Sequence, residues 1–266
     1  MIDRVLIAEG GHYERRRAAY EDVVGRRAVD TWDGNVLLDA RVLVDVYDPH
    51  EVPVAARDRM IASGASIVSG APFPEGTYPS IVLACPSLTI GPVALMAGDV
   101  GQIGRRTMAK VVVVDSAPGF AVTMFRSVLA LVMLGGPLDR LSARRQPDEA
   151  SFEGIYAVGR FKDGAIAYME VVTSCFPGAD VRFYEVMGRD QIREYDSRRS
   201  TNRIIDDDGI RPIPATLSDS YAVFVKDLWQ AEPFGRSGQH VDTIGHADSG
   251  YRALTAALHA ERAASV

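Results

Sequence analysis

His12 follows directly on Gly10-Gly11, at the end of the apolar run from Val5 to Ala8. A histidine leaving a buried strand through a glycine turn can hold a proton or a phosphate. Doubly wound sheets take their ligands at the carboxyl ends of their strands. The ordinary alternative is a solvated loop histidine. Tyr47-Asp48-Pro49-His50 leaves a second apolar strand in the same way. His50 beside Asp48 makes an acid/base pair, because a nearby carboxylate raises an imidazole's pKa. Equally, Asp48 reads as a helix N-cap with Pro49 in the first helical position. Ser69 ends a third strand, and Asp115-Ser116 ends a later one, just before a long apolar helix. Asp115 suits a base or a hydroxyl-binding group, or else a loop cap. The expected site has His50 as proton-transfer residue, with Asp48 or Asp115 setting its charge. His12, Tyr47 and Ser69 would position substrate.

Other reactive types carry less. Cys85 and Cys175 are far apart and lack metal-ligand spacing, so they read as buried structural thiols. Glu170 lies in an alternating strand, where solvent is the ordinary partner. His240 and His246 fall in a glycine-rich stretch and read as surface loop residues. The net charge is −6 over 266 residues, which excludes a chain-wide attraction to nucleic acid or an anionic membrane. No apolar stretch is long enough to span a bilayer, and Arg4 to Ala8 opens without a signal-peptide layout. The expectation is a soluble cytoplasmic protein with no metal.

These residues need elements to hold them. Val5 to Ala8, a helix over Glu14 to Val24, and strands at Arg41 to Val46 and Ser66 to Val68 around a helix at Val52 to Ser63 form a βαβ pattern. Such a pattern demands a parallel sheet. The second half alternates instead. Tyr156 to Phe161 and Ala165 to Val172 flank Asp163-Gly164, a hairpin signal. Val181 to Met187 and Gln191 to Tyr195 pair around Gly188. The stretch from Ser197 to Pro214 reads as a loop or edge. Helices are expected at Phe120 to Leu134, at Ser218 to Trp229, and at Ser249 to Ala264 with Asp248 or Ser249 as cap. The fold class is therefore α/β. A reduced Rossmann-like parallel sheet occupies residues 1–80, and an α+β domain with an open, mainly antiparallel sheet occupies 81–266. The closing helix, 249–264, could pack back on the first domain.

The order of these elements resembles the Gfo/Idh/MocA oxidoreductase family. Asp45-Val46-Tyr47-Asp48-Pro49 through Gly64-Ala65-Ser66-Ile67-Val68 to Pro72 follows that family's strand, Pro, helix, Gly, strand, Glu-Lys-Pro segment. Ile81 to Gly91-Pro92, Gly101-Gln102-Ile103-Gly104, Phe161-Lys162-Asp163-Gly164 and Val186-Met187-Gly188 resemble its second domain. The resemblance implies a Rossmann domain for NAD(P) joined to an open-sheet domain, and a homodimer through that sheet.

Measured against that family, the departures fall on the chemistry. Its G-x-G-x-x-G lands on Ala8, Gly10 and Tyr13, so Gly10 and Gly11 are a vestigial nucleotide turn, and Glu9 adds an anion beside it. Asp30 is a stand-in for the ribose-binding acid. The catalytic lysine's position is Ala71, one family histidine falls at Pro53, and no histidine lies between His50 and His240. These losses lead to an expectation of weak or absent NAD(P) binding. The chain then reads as a biosynthetic small-molecule enzyme doing non-redox proton transfer: elimination, isomerisation or cyclisation. The alternatives are an NAD(P)-dependent oxidoreductase with a replaced proton relay, and a non-catalytic partner of an intact homologue.

Overall fold

The structure is a computed structural model that describes residues 2–74, 81–84, 91–98, 100–116, 119–145, 152–174, 180–213, 220–230 and 238–264. Cys85 and Cys175 lie outside the described residues. The chain divides into two compact units, Met1–Thr89 with Ser218–Arg236, and Ile90–Leu217 with Ser237–Val266.

In the first unit five parallel strands are ordered β2-β1-β3-β4-β5. They are β1 (Arg4–Ala8), β2 (Val29–Trp32), β3 (Val42–Val46), β4 (Ser66–Ser69) and β5 (Ile81–Leu83). Helices cover both faces, so the central strands are apolar without alternation. On one side Tyr20 of α1 (Tyr13–Val24) and Phe224 and Leu228 of α5 (Ser220–Gln230) pack on Val5, Ile7, Leu43 and Val68. On the other, Ala56 and Met60 of α2 (Val54–Ala62) pack on Leu6, Val44 and Ile67. Strand order reverses beside β1, which makes its carboxyl end a topological switch point.

One strand of this sheet escapes the periodicity reading. A single 3-10 turn, Arg26–Ala28, leads straight into β2, so Arg41 to Val46 is the third strand in chain order and not the second. Four residues are too few to show a period, and Val29-Asp30-Thr31-Trp32 shows only β-branched and aromatic preference. The chain segment that returns to this unit is 218–236. The closing helix belongs to the second unit, where Tyr251 meets Phe125 edge-on with ring centroids 5.7 Å apart.

The second unit carries an eight-stranded sheet ordered β13-β12-β11-β10-β6-β9-β8-β7. Its strands are β6 (Arg106–Asp115), β7 (Leu138–Arg145), β8 (Phe152–Phe161), β9 (Ile166–Ser174), β10 (Val181–Gly188), β11 (Ile192–Asp196), β12 (Thr201–Asp206) and β13 (Gly209–Pro212). Only the β6–β9 pairing is parallel. Along β6 burial alternates, with Ala109, Val111 and Val113 inward and Lys110, Val112 and Val114 on the opposite face. The hairpin around Gly164 forms as its sequence requires, with that glycine at φ +89°. Among the described residues the remaining helices are α3 (Pro92–Gly98), α4 (Phe120–Gly135) and α6 (Gly238–Ala264).

Of the two readings of the stretch after Ser197, loop or edge, the second holds, because β12 and β13 form a hairpin at the sheet edge. One local expectation changes. Since α6 begins at Gly238, Asp248 and Ser249 are interior positions and not caps. Asp248 pairs with Arg252 one turn on at 3.0 Å, and the Ser249 hydroxyl donates to the carbonyl of Gly245 at 2.9 Å. For the same reason His240 and His246 lie on a helix and not in a loop.

Candidate functional site

The switch point of the first unit opens into a cleft of about 530 Å³, lined by residues that follow three strand ends. Ala8 and Glu9 come from β1, Thr31 to Asn35 from β2 and the turn after it, and Val46, Asp48 and Glu51 to Pro53 from β3 and its link to α2. Arg59 of α2 contributes the positive group of this lining, and its guanidinium donates to the carbonyl of Gly34 at 2.9 Å. Against it stand the carboxylates of Glu9, Asp33, Asp48 and Glu51. Burial, and secondarily the charge of Asp48, raise the Glu51 carboxyl above its ordinary value.

Asp33 takes the place at the carboxyl end of β2. Its Oδ1 accepts the backbone N–H of Asn35 at 2.8 Å, and the residue is exposed. Asp30 does not serve there. It sits opposite Leu6 within the sheet and pairs with Arg4 at 2.7 Å. Trp32 is 6% exposed and lines the cleft, and its buried indole N–H has no acceptor among the described residues.

The first turn is built by backbone freedom and one aromatic ring. Gly10 has φ +135°, and His12, the residue before α1, has φ +55°. Any side chain on Gly11 would collide with the ring of Tyr47, so glycine is required there by Tyr47 itself. Tyr47 is 4% exposed, with the His12 ring edge-on at 5.5 Å and the Arg16 guanidinium 5.6 Å from its centroid. Tyr13, at the third glycine's position, shares a 2.5 Å hydrogen bond with Thr31. Arg16 is almost fully buried beneath this turn. It donates to Oδ1 of Asp45 at 2.5 Å and to the carbonyl of Ala8 at 2.6 Å, while the Tyr221 hydroxyl donates to Oδ2 of Asp45.

Among the residues singled out from the sequence, Asp48 lines the cleft. Its Oδ1 accepts the backbone N–H of His50 at 2.9 Å, so it shapes the turn; it is not the cap of α2, which starts at Val54 after Pro53. His50 is exposed on that turn. Ser69 is fully buried, and its hydroxyl donates to the carbonyl of Ala71 at 2.6 Å. That places Ser69 in the core. Ala71 is itself fully buried. Asp115, in the second unit, accepts from Arg182 at 2.9 Å and from the Thr123 hydroxyl at 3.2 Å. Nearby Tyr184 stacks on Tyr195 at 5.9 Å between centroids, and burial raises its hydroxyl's pKa against the pull of Arg182. Asp33, Glu51, Trp32 and Arg182 were not picked out from sequence. Of these only Asp33 leaves a readable trace, an acid and a glycine directly after a β-branched run.

No family model and no curated protein sequence matches the chain. Solved structures do. Levoglucosan dehydrogenase in its apo form gives a TM-score of 0.72 at 13% identity, covering 98% of both chains. GenD2 from gentamicin A biosynthesis, in complex with NAD, gives 0.69 at 17% identity, covering 97% of this chain and 95% of that one. Biliverdin reductase from Synechocystis sp. PCC 6803, in complex with biliverdin and NADP+, gives 0.67 at 14% identity, covering 95% and 99%. The fold is that of the Gfo/Idh/MocA-type NAD-binding oxidoreductases.

Doubly wound sheets take dinucleotides at such a switch point. The residues here that could hold a nucleoside are the carboxylate after β2 and the other groups of the cleft lining.

Proposed function

We propose that the protein is an NAD-dependent oxidoreductase with a replaced proton relay. The observation that carries this reading is Asp33 at the carboxyl end of β2, beside Trp32, in the cleft of the switch point. A carboxylate there accepts hydrogen bonds from ribose hydroxyls and repels a 2′-phosphate, so NAD is preferred over NADP. Trp32 forms part of the wall against which the nucleoside rests, and Arg59 flanks it. The nicotinamide supplies hydride exchange when bound. The chain's own task is to hold the cofactor and move one proton. Ala71 cannot do the latter, and His50, exposed on the turn after β3, carries an imidazole that can take up and release a proton. A substrate such as an imine or an enone lessens the demand on this group. We also propose that a second copy of the chain covers the open face of the eight-stranded sheet.

Titration with NADH and NADPH, followed by nucleotide fluorescence, tests the reading. NADH should bind more tightly than NADPH, and Asp33→Ala should weaken NADH by about tenfold, one lost charged hydrogen bond. Absence of binding by either nucleotide at millimolar concentration would overturn it. The buried Ala71 in place of a lysine favours non-redox proton transfer as the second reading.

A further inference from the structure

Local hydrogen bonds hold the turn after β3. The Asp48 carboxylate accepts the His50 N–H at 2.9 Å, and the Glu51 N–H donates to the Asp48 carbonyl at 3.3 Å. The Glu51 side chain reaches toward the first turn. A Cβ built on Gly10 would lie 3.9 Å from Oε2 of Glu51. Gly10 leads through Gly11 and His12 into the twelve-residue helix α1, whose N-terminal end attracts anions. The position a doubly wound sheet offers to phosphate is therefore approached by the protein's own carboxylate. Burial and Asp48 already push that carboxyl toward its neutral form. The adjoining cleft is lined by Trp32, Asp33 and Arg59.

We propose that Glu51 sets the phosphate affinity of this cleft: its carboxylate occupies the approach to the Gly10 turn, so that phosphate-bearing ligands bind only against it while an unphosphorylated nucleoside binds freely. The proposal rests on the nucleotide reading above and adds the residue that limits it. Glu51 is exposed on a turn, so its side chain can be neutralised without disturbing the core.

The experiment compares adenosine, ADP and NAD+ on the wild-type protein, Glu51→Gln and Glu51→Ala, by calorimetry for tight ligands and ligand-observed NMR for weak ones. Asp22→Asn, which removes the same charge from an exposed position late in α1, controls for net charge. Adenosine should bind all four proteins alike. ADP and NAD+ should bind both Glu51 variants at least tenfold more tightly than wild type, and Asp22→Asn should not differ. If adenosine binds but ADP and NAD+ gain nothing in the Glu51 variants, or gain as much in Asp22→Asn, the proposal is overturned and the nucleotide reading stands. If adenosine binds none of them, the nucleotide reading falls and the proposal falls with it.

Discussion

The hydroxyl of Tyr221 donates to the carboxylate of Asp45 across a sequence separation of 176 residues. Asp45 is buried in the middle strand of the parallel sheet, and its other oxygen accepts from Arg16. A buried ion pair contributes little net stability when complete, yet removing one partner leaves an uncompensated charge. Arg16→Met should therefore cost about 3–5 kcal/mol. Tyr221→Phe should cost about 1.5–3 kcal/mol, the worth of a hydrogen bond to a charged group. Urea denaturation of each variant and of the double variant checks this. A double variant whose loss equals the sum of the singles would show that Asp45 does not couple them.

Asp115 and His50 should respond differently to substitution. Asp115 is buried between Arg182 and Thr123, so Asp115→Asn should lower stability by about 1–3 kcal/mol. His50 is exposed, and His50→Ala should leave stability within about 0.5 kcal/mol. If His50 moves the proton, the same variant should reduce turnover by about a hundredfold once a substrate is in hand. Paired melting and rate measurements separate the two effects.

The open face of the large sheet exposes Tyr156, Val158 and Ile166 by 38%, 46% and 44%. The Lys110 ammonium sits on this face, 5.4 and 5.2 Å from the ring centroids of Tyr168 and Phe183, with Glu185 opposite it in the neighbouring strand. Charges of both signs among apolar groups suit a second copy related by a two-fold axis. Strand spacing makes the face roughly 35 Å wide, enough for the roughly 800 Å² per partner of a stable interface. Sedimentation should give a dimer, and Val158→Asp with Ile166→Asp should give a folded monomer. A wild-type monomer at high micromolar concentration removes the proposal.

NAD+ affinity should depend on pH through Glu51. Its pKa is raised, so its charge disappears as pH falls from neutrality toward that value, and binding of the diphosphate should strengthen in the same direction. Glu9 and His12 on the first turn, Asp33 after β2, Asp48 and His50 on Glu51's own turn, and Arg59 on α2 face the same space. These groups are common to wild type and Glu51→Gln. The diphosphate of NAD+ does not titrate in this range, so the difference between the two pH profiles isolates Glu51. Parallel profiles from pH 8 down through the ordinary glutamate range would remove its role.

Local chemistry made much of the architecture legible. The βαβ pattern, the Asp163-Gly164 hairpin and the apolar α4 each depend on neighbours within a few residues, and each forms where its periodicity or turn residues place it. The cleft was not legible. Glu9, Asp33 and Glu51 become neighbours because β1 lies between β2 and β3, and strand order is decided by packing of whole faces, which no short spacing records. Tertiary structure alone likewise decided that Ser69 is sealed in the core, that Asp115 is held by Arg182, and that the buried Asp45 is matched by a tyrosine from the far end of the chain. A side chain's type states what it can donate or accept; what faces it is determined by the long-range contacts that bury it.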